Sequence, residues 1–114
     1  MNNLNSVLLE GEVVNDAIGG KTQNGTFACS FTIQSVRYFR RDGTQIEKEL
    51  SHFDIEAEGN LGENCLKLAK EGRGIRVVGR LKEFFDGTDK SNPKIIIVAE
   101  HAEFRPENNE DIKL

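Results

Sequence analysis

Phe53-Asp54-Ile55-Glu56-Ala57-Glu58-Gly59 is the stretch that decides the fold. Polar and apolar residues alternate through it with period two. Phe53, Ile55 and Ala57 point one way, and His52, Asp54, Glu56 and Glu58 the other, as in a strand with one face in a core and the other outside it. The strand is expected over residues 47–58, and the period changes directly after it. Leu61, Cys65 and Leu68 recur at i, i+4 and i+7, which predicts a short amphipathic helix over residues 61–70. Lys67 and Lys70 sit near its end, where the helix dipole favours cations, and Gly72 is placed to terminate it. Ile75, Val77, Gly79 and Leu81 then alternate again in another strand.

Working outward toward the N-terminus, Asp42-Gly43 is a strong turn signal. It joins the 47–58 strand to an earlier one over residues 27–37, with Cys29, Phe31 and Ile33 on one face, so the two form a long hairpin. Before that lies a loop rich in turn formers, Asn15-Asp16, Gly19-Gly20 and Asn24-Gly25. A first strand over residues 4–14 precedes it, its Val7, Leu9, Gly11 and Val13 alternating with Ser6, Leu8, Glu10 and Glu12. Gly11 in mid-strand suggests a bulge or a sharp bend. Toward the C-terminus, a loop from Asp86-Gly87 to Asn92-Pro93 leads to a last strand over residues 94–104, whose Ile95-Ile96-Ile97-Val98-Ala99 is the longest apolar run. Three strands, a helix between the third and fourth, and two further strands predict an all-β chain with one helix. This is the order of the OB-fold, a five-stranded Greek-key barrel whose second and third strands commonly bind oligonucleotides. Residues 1–106 form the domain, and residues 107–114 a short acidic disordered tail.

Composition excludes several classes. A chain of 114 residues suits one domain. No apolar run approaches the roughly 20 residues of a membrane helix. The start, Met1-Asn2-Asn3-Leu4-Asn5, lacks the basic and apolar regions of a secretory signal, so a cytoplasmic protein is expected. Cys29 and Cys65 have no CxxC partner and no nearby histidine cluster, which favours buried free thiols over a zinc site. Asn24-Gly25-Thr26 matches a glycosylation sequon but reads as a turn in a chain with no secretory signal. With His52 and His101 the only histidines and no glycine-rich phosphate loop, no catalytic constellation is present, and neither an enzyme nor a cofactor is expected. Asp54, Glu56 and Glu58 form a row along a strand rather than a cage for a metal. The net charge of −4 is unevenly spread. Between Lys67 and Lys82 six basic residues face one acid, leaving nine of the fifteen basic and eighteen of the nineteen acidic residues elsewhere. An acidic protein with a local positive field is compatible with a polyanionic ligand.

Several segments, in order and spacing, resemble bacterial single-stranded DNA-binding proteins: Asn5-Ser6-Val7-Leu8-Leu9-Glu10-Gly11, Asn24-Gly25-Thr26, the 53–59 stretch and Leu61-Gly62-Glu63-Asn64. Lys70-Glu71-Gly72-Arg73-Gly74-Ile75-Arg76-Val77-Val78-Gly79-Arg80-Leu81 is the most specific block, and Ile97-Val98-Ala99-Glu100 follows it. The resemblance implies an oligomer of OB-folds, a homotetramer before a dimer. It would bind single-stranded DNA without sequence preference, in replication, recombination and repair in a bacterial cytoplasm and nucleoid. Stacking and phosphate contacts would do the binding. Tyr38 and Phe39, beside Arg40 and Arg41, fall where the family places a stacking aromatic. Strand neighbours face opposite ways, so one of the pair is expected in the core and the other free to stack.

Elsewhere the pattern departs from the family. His52 and Glu58 stand where it generally has stackers, with Asp54 and Glu56 between them. Three carboxylates on one face repel phosphate, so that face should contribute little, His52 being its one candidate contact. In place of the family's basic pair and aromatic after the fourth strand, the sequence reads Lys82-Glu83-Phe84-Phe85. Phe84 or Phe85 is then the second platform, and Arg73, Arg76, Arg80 and Lys82 the phosphate candidates. The ending Glu110-Asp111-Ile112-Lys113-Leu114 resembles the acidic tip with which family members recruit replication and repair proteins. The alternative reading is an OB-fold protein-interaction or primosomal accessory protein with weak or lost DNA binding.

Overall fold

The computed structural model describes residues 1–43, 45–85, 87 and 91–107. Its elements run β1 (Val7–Val13), β2 (Ile18–Lys21), β3 (Phe27–Arg41), β4 (Gln45–Glu58), α1 (Gly59–Leu68), β5 (Gly74–Phe84) and β6 (Lys94–Phe104). The helix therefore follows the fourth strand and not the third, because the loop after β1 contains a strand of its own. Ile18–Lys21 pairs antiparallel with Phe27 to Ser30. Two glycines and flanking turn formers conceal it in the sequence. The sheet order is β1-β5-β6-β4-β3-β2, and a further β1–β3 pairing closes the five long strands into a barrel. β4 and β6 run parallel, Ile55 opposite Ile97.

Closure depends on β1 changing partners. It pairs with β5 from Val7 to Glu12 and with β3 at Glu12 and Val13. At the crossover stands Gly11, where a Cβ would lie 2.6 Å from Ile33 Cγ2 and against the Gln34 carbonyl. Only a residue with no side chain lets the two backbones approach this closely. The bend expected at Gly11 is thus the seam of the barrel, and the register irregularity falls instead in the β5–β6 pairing, where Val78 faces His101 and Gly79 faces Ala99, leaving Glu100 of β6 as the extra residue.

The core is the inward face of each strand: Val13, Phe31, Ile33, Ile55, Ile75, Val77, Ile97 and Ala99, with Cys29, Ala57 and Cys65. Of the apolar run in β6, residues 96–99 are buried and Ile95 is exposed. α1 lies across the barrel through Leu61, Cys65 and Leu66, and its C-cap Ala69 is fully buried. The Ala69 carbonyl accepts from Ala17 N–H, and Gly72 N–H donates to Val13, so the helix exit is stitched to the end of β1. Leu68, expected on the buried stripe, is 39% exposed, since the helix starts at Gly59 and Ala69 takes the inward position. Cys29 and Cys65 are free thiols meeting in the core, and the neighbouring Cys29 thiol together with burial pushes the Cys65 thiol up.

Asp42 and Gly43 turn the β3–β4 hairpin with φ of 58° and 77°, the left-handed region their turn chemistry tolerates. Among the described residues no helix is long and apolar enough to cross a membrane. Asp86 and most of the following loop lie outside the described residues, as does the segment Glu110 to Leu114. Of the tail only Glu107 is described, and it pairs with Arg73 at 3.0 Å.

Candidate nucleic-acid interface

β3 and β4 stay paired from Ala28 opposite Glu58 to Arg41 opposite Gln45, well past the barrel. The buried core on this hairpin ends at Ile33, whose partner Phe53 is 38% exposed at the rim. Beyond that point neither face covers a core. Directly opposite residues share a face, and the register therefore sorts the side chains. One face carries Arg37 with Glu49, Phe39 with Glu47, and Arg41 with Gln45. The other carries Gln34 with His52, Val36 with Leu50, Tyr38 with Lys48, and Arg40 with Ile46.

The two faces differ in what they leave free. Phe39 is half-buried under two guanidiniums, Arg37 at 4.6 Å and Arg41 at 5.5 Å from its ring centre. Arg41 is also held by Glu47 at 2.6 Å. The expectation that one of Tyr38 and Phe39 joins the core is corrected: neither does, because the hairpin outruns the barrel at their level. Phe39 is covered by its own arginines, and Tyr38 stands 65% exposed. Beside Tyr38, Lys48 and Arg40 have no ion-pair partner among the described residues, and Val36, Ile46 and Leu50 give the ring an apolar apron. Lys48, Val36, Ile46 and Leu50 were not singled out in the sequence. Val36 shares the face of Tyr38 by alternation along β3, and the register across the Asp42-Gly43 turn brings the other three to it. His52 lies on the same face nearer the barrel, its Nε2 3.1 Å from Gln34 Oε1.

Three of the four phosphate candidates in the stretch from Arg73 to Lys82 are ion-paired within the chain. Arg73 is largely enclosed, paired with Glu107, bonded through Nε to the Arg105 carbonyl and set over Phe104 at 5.7 Å. Arg76 binds Glu10 through Nε and Nη2 at 3.3 and 2.9 Å, and Arg105 reaches the same carboxylate at 3.3 Å. Arg76, hydrogen-bonded to it, and then Arg105 hold the Glu10 carboxyl below the usual carboxylate range. Arg80 faces Glu100 at 3.7 Å. Of the four phosphate candidates only Lys82 has no ion-pair partner among the described residues. Phe84, 43% exposed, lines a cavity with Asp54 and Glu56, whereas Phe85 is half-buried just past β5.

A closed barrel of five strands with a helix laid across it defines an OB-fold, here with a projecting hairpin that bears an open aromatic and free cations. Solved structures share that fold. The wild-type single-stranded DNA binding protein from Thermus aquaticus superposes with a TM-score of 0.79 at 20% identity, over 93% of this chain and 52% of that one. The Plasmodium falciparum SSB in complex with ssDNA superposes with a TM-score of 0.77 at 16% identity, over 92% of this chain and 96% of that one. Single-stranded DNA-binding protein 1 of Chlorobaculum tepidum is 29% identical over 79 residues, 69% of this chain. The chain spans about half of that relative's length, 49%. The model of the single-strand binding protein family matches residues 4–105, and the chain belongs to that family.

Proposed function

We propose that the protein binds single-stranded DNA along the β3–β4 hairpin, by stacking bases on Tyr38 and placing phosphates against Arg40 and Lys48. The exposed Tyr38 ring, bracketed by cations that no carboxylate holds, is the observation that carries this reading. Stacking and charge do not read sequence, because every base has a π-face and every nucleotide a phosphate. Phe84 is the second platform, at the end of β5. Family membership and a structural neighbour solved with ssDNA favour this reading over a protein-interaction domain with lost DNA binding.

The protein acts as a binder and not a catalyst, serving replication, recombination and repair in the bacterial cytoplasm. It works as a homo-oligomer, with a tetramer favoured over a dimer. Leu8, 72% exposed on the outer face of β1 opposite Val78, supports burial of that face against another copy. Residues 110–114 are the candidate recruiting tip. The test is an anisotropy titration with a mixed-sequence single strand and its duplex at low and moderate salt. Tight, salt-weakened binding of the single strand alone is expected, and no binding at low salt refutes the proposal.

A further inference from the structure

Next to the hairpin, a cavity of about 330 Å³ opens between β2, β3, β4 and the β5–β6 ends. This is the small end of the range for ligand pockets, ~300–1,000 Å³, with room for a flat heterocycle rather than a length of chain. Ile18, Ile96 and Phe84 supply apolar wall, and Asp54 and Glu56 supply the acid groups. Asp54 is fixed in place, since Thr32 Oγ1 donates to its Oδ1 at 3.0 Å. Glu56 is half-buried and has no hydrogen bond or ion pair among the described residues. An ionised carboxylate only accepts. The Asp54 and Glu56 wall therefore repels phosphate while asking the occupant for N–H groups on a flat apolar body.

We infer that this cavity takes a single nucleobase and prefers one with an exocyclic amine, cytosine above all, over uracil or thymine. The inference rests on the DNA-binding reading above. The base lies against Phe84, with its amine donating to Asp54 or Glu56, the pairing by which carboxylates read cytosine N4. Uracil and thymine offer a carboxylate only N3–H, with a carbonyl oxygen on either side of it, and at position 4 they set an acceptor against an acceptor. Lys94, opposite Phe84 in the β5–β6 register and also at the cavity, is placed for the phosphate of that nucleotide. Acidic residues that look like a defect in a DNA-binding face thus become a reader of base identity, at one position in an otherwise indifferent groove.

Oligo-dC and oligo-dU of equal length differ at the C4 and N3 edge of the base, so titrating both at one salt concentration tests the point. The wild-type protein should bind oligo-dC more tightly by about fivefold or more. Asp54→Asn and Glu56→Gln keep side-chain size but let an amide donate to O4, and each should bring the ratio toward one. A wild-type ratio of one overturns the inference and leaves the DNA-binding reading standing. So does a ratio that neither variant changes, with both affinities rising by the same factor, since the carboxylates then act only as repulsive charge. Failure to bind any single strand, mixed sequence included, overturns the DNA-binding reading and this inference with it.

Discussion

Replacing Tyr38 by alanine separates the two faces of the hairpin. The ring is 65% exposed and outside the core, so its loss should change folding stability by no more than about 0.5 kcal/mol. A base that stacks on it loses ~1–3 kcal/mol, which at about 1.4 kcal/mol per factor of ten is a fall in affinity of roughly 5- to 140-fold. Phe39→Ala should cost less. That ring is occupied by Arg37 and Arg41, and its removal forfeits cation–π contacts of about 0.5–1 kcal/mol while leaving both charges in place. Tyr38→Phe should bind like the wild type, since no hydrogen bond to the Tyr38 hydroxyl is present among the described residues. The assay is anisotropy of a labelled single strand across a salt series. Tyr38→Ala should lower affinity without changing the salt slope, because no cation is lost. Full affinity in Tyr38→Ala with a large loss in Phe39→Ala would place the bases on the opposite face, and loss in neither would remove the hairpin as the platform.

Three further outcomes are expected. Arg40→Ala should weaken binding and flatten the plot of log affinity against log salt by about 0.7, one phosphate's share, whereas Arg76→Ala, already neutralised by Glu10, should leave the slope unchanged. Gly11→Ala forces a methyl against Ile33 and the Gln34 carbonyl and should cost about 1–3 kcal/mol in a urea titration; a wild-type midpoint would contradict the closeness of the barrel seam. Because the folded-state pKa of Glu10 is depressed, its ion pairs stabilise the fold above the unfolded-state value and lose that effect as pH falls through the folded one. The difference in Tm between wild type and Glu10→Gln should accordingly be present at pH 7 and vanish at strongly acidic pH.

What the sequence disclosed follows from the range of each interaction. The inward faces of β3, β4 and β5 were legible because alternation reports which side a residue faces, and Ile33, Ile55 and Val77 are buried as read. Alternation does not report where a barrel ends. Phe39 continues the same alternation as Phe31 and Ile33, and only the third dimension shows that no core lies beneath it. β2 escaped for a related reason: Ile18-Gly19-Gly20-Lys21 has no face of its own to bury and is a strand only because Phe27 to Ser30 offers it an edge. The ion pairs were out of reach altogether, since Arg76 meets Glu10 across 66 residues of chain and Arg73 meets Glu107 across 34.

Those pairs occupy half of the six cations between Lys67 and Lys82. A run of cations from Lys67 to Lys82 reads as the positive field of an acidic protein, but Arg73, Arg76 and Arg80 are each opposite a carboxylate. The free cations beside Tyr38 are on the hairpin, and the strand itself sets their distance from the acids of the barrel. From Lys48, beside Tyr38, to Asp54 and Glu56 is six and eight residues of β4, or ~20 and ~26 Å at a rise of about 3.3 Å per residue. With a Debye length of ~8 Å at physiological ionic strength, the carboxylates of the barrel are screened from a phosphate held at Lys48, and the Tyr38 face of the hairpin acts as a basic surface on an acidic protein. At ~0.01 M salt that length grows to ~30 Å and the two fields overlap. The barrel then opposes what the hairpin attracts. The projection of the hairpin is therefore an electrostatic device as much as a geometric one, since it carries the stacking ring and its cations away from the acids of the barrel, while Glu47 and Glu49 lie on the hairpin's opposite face.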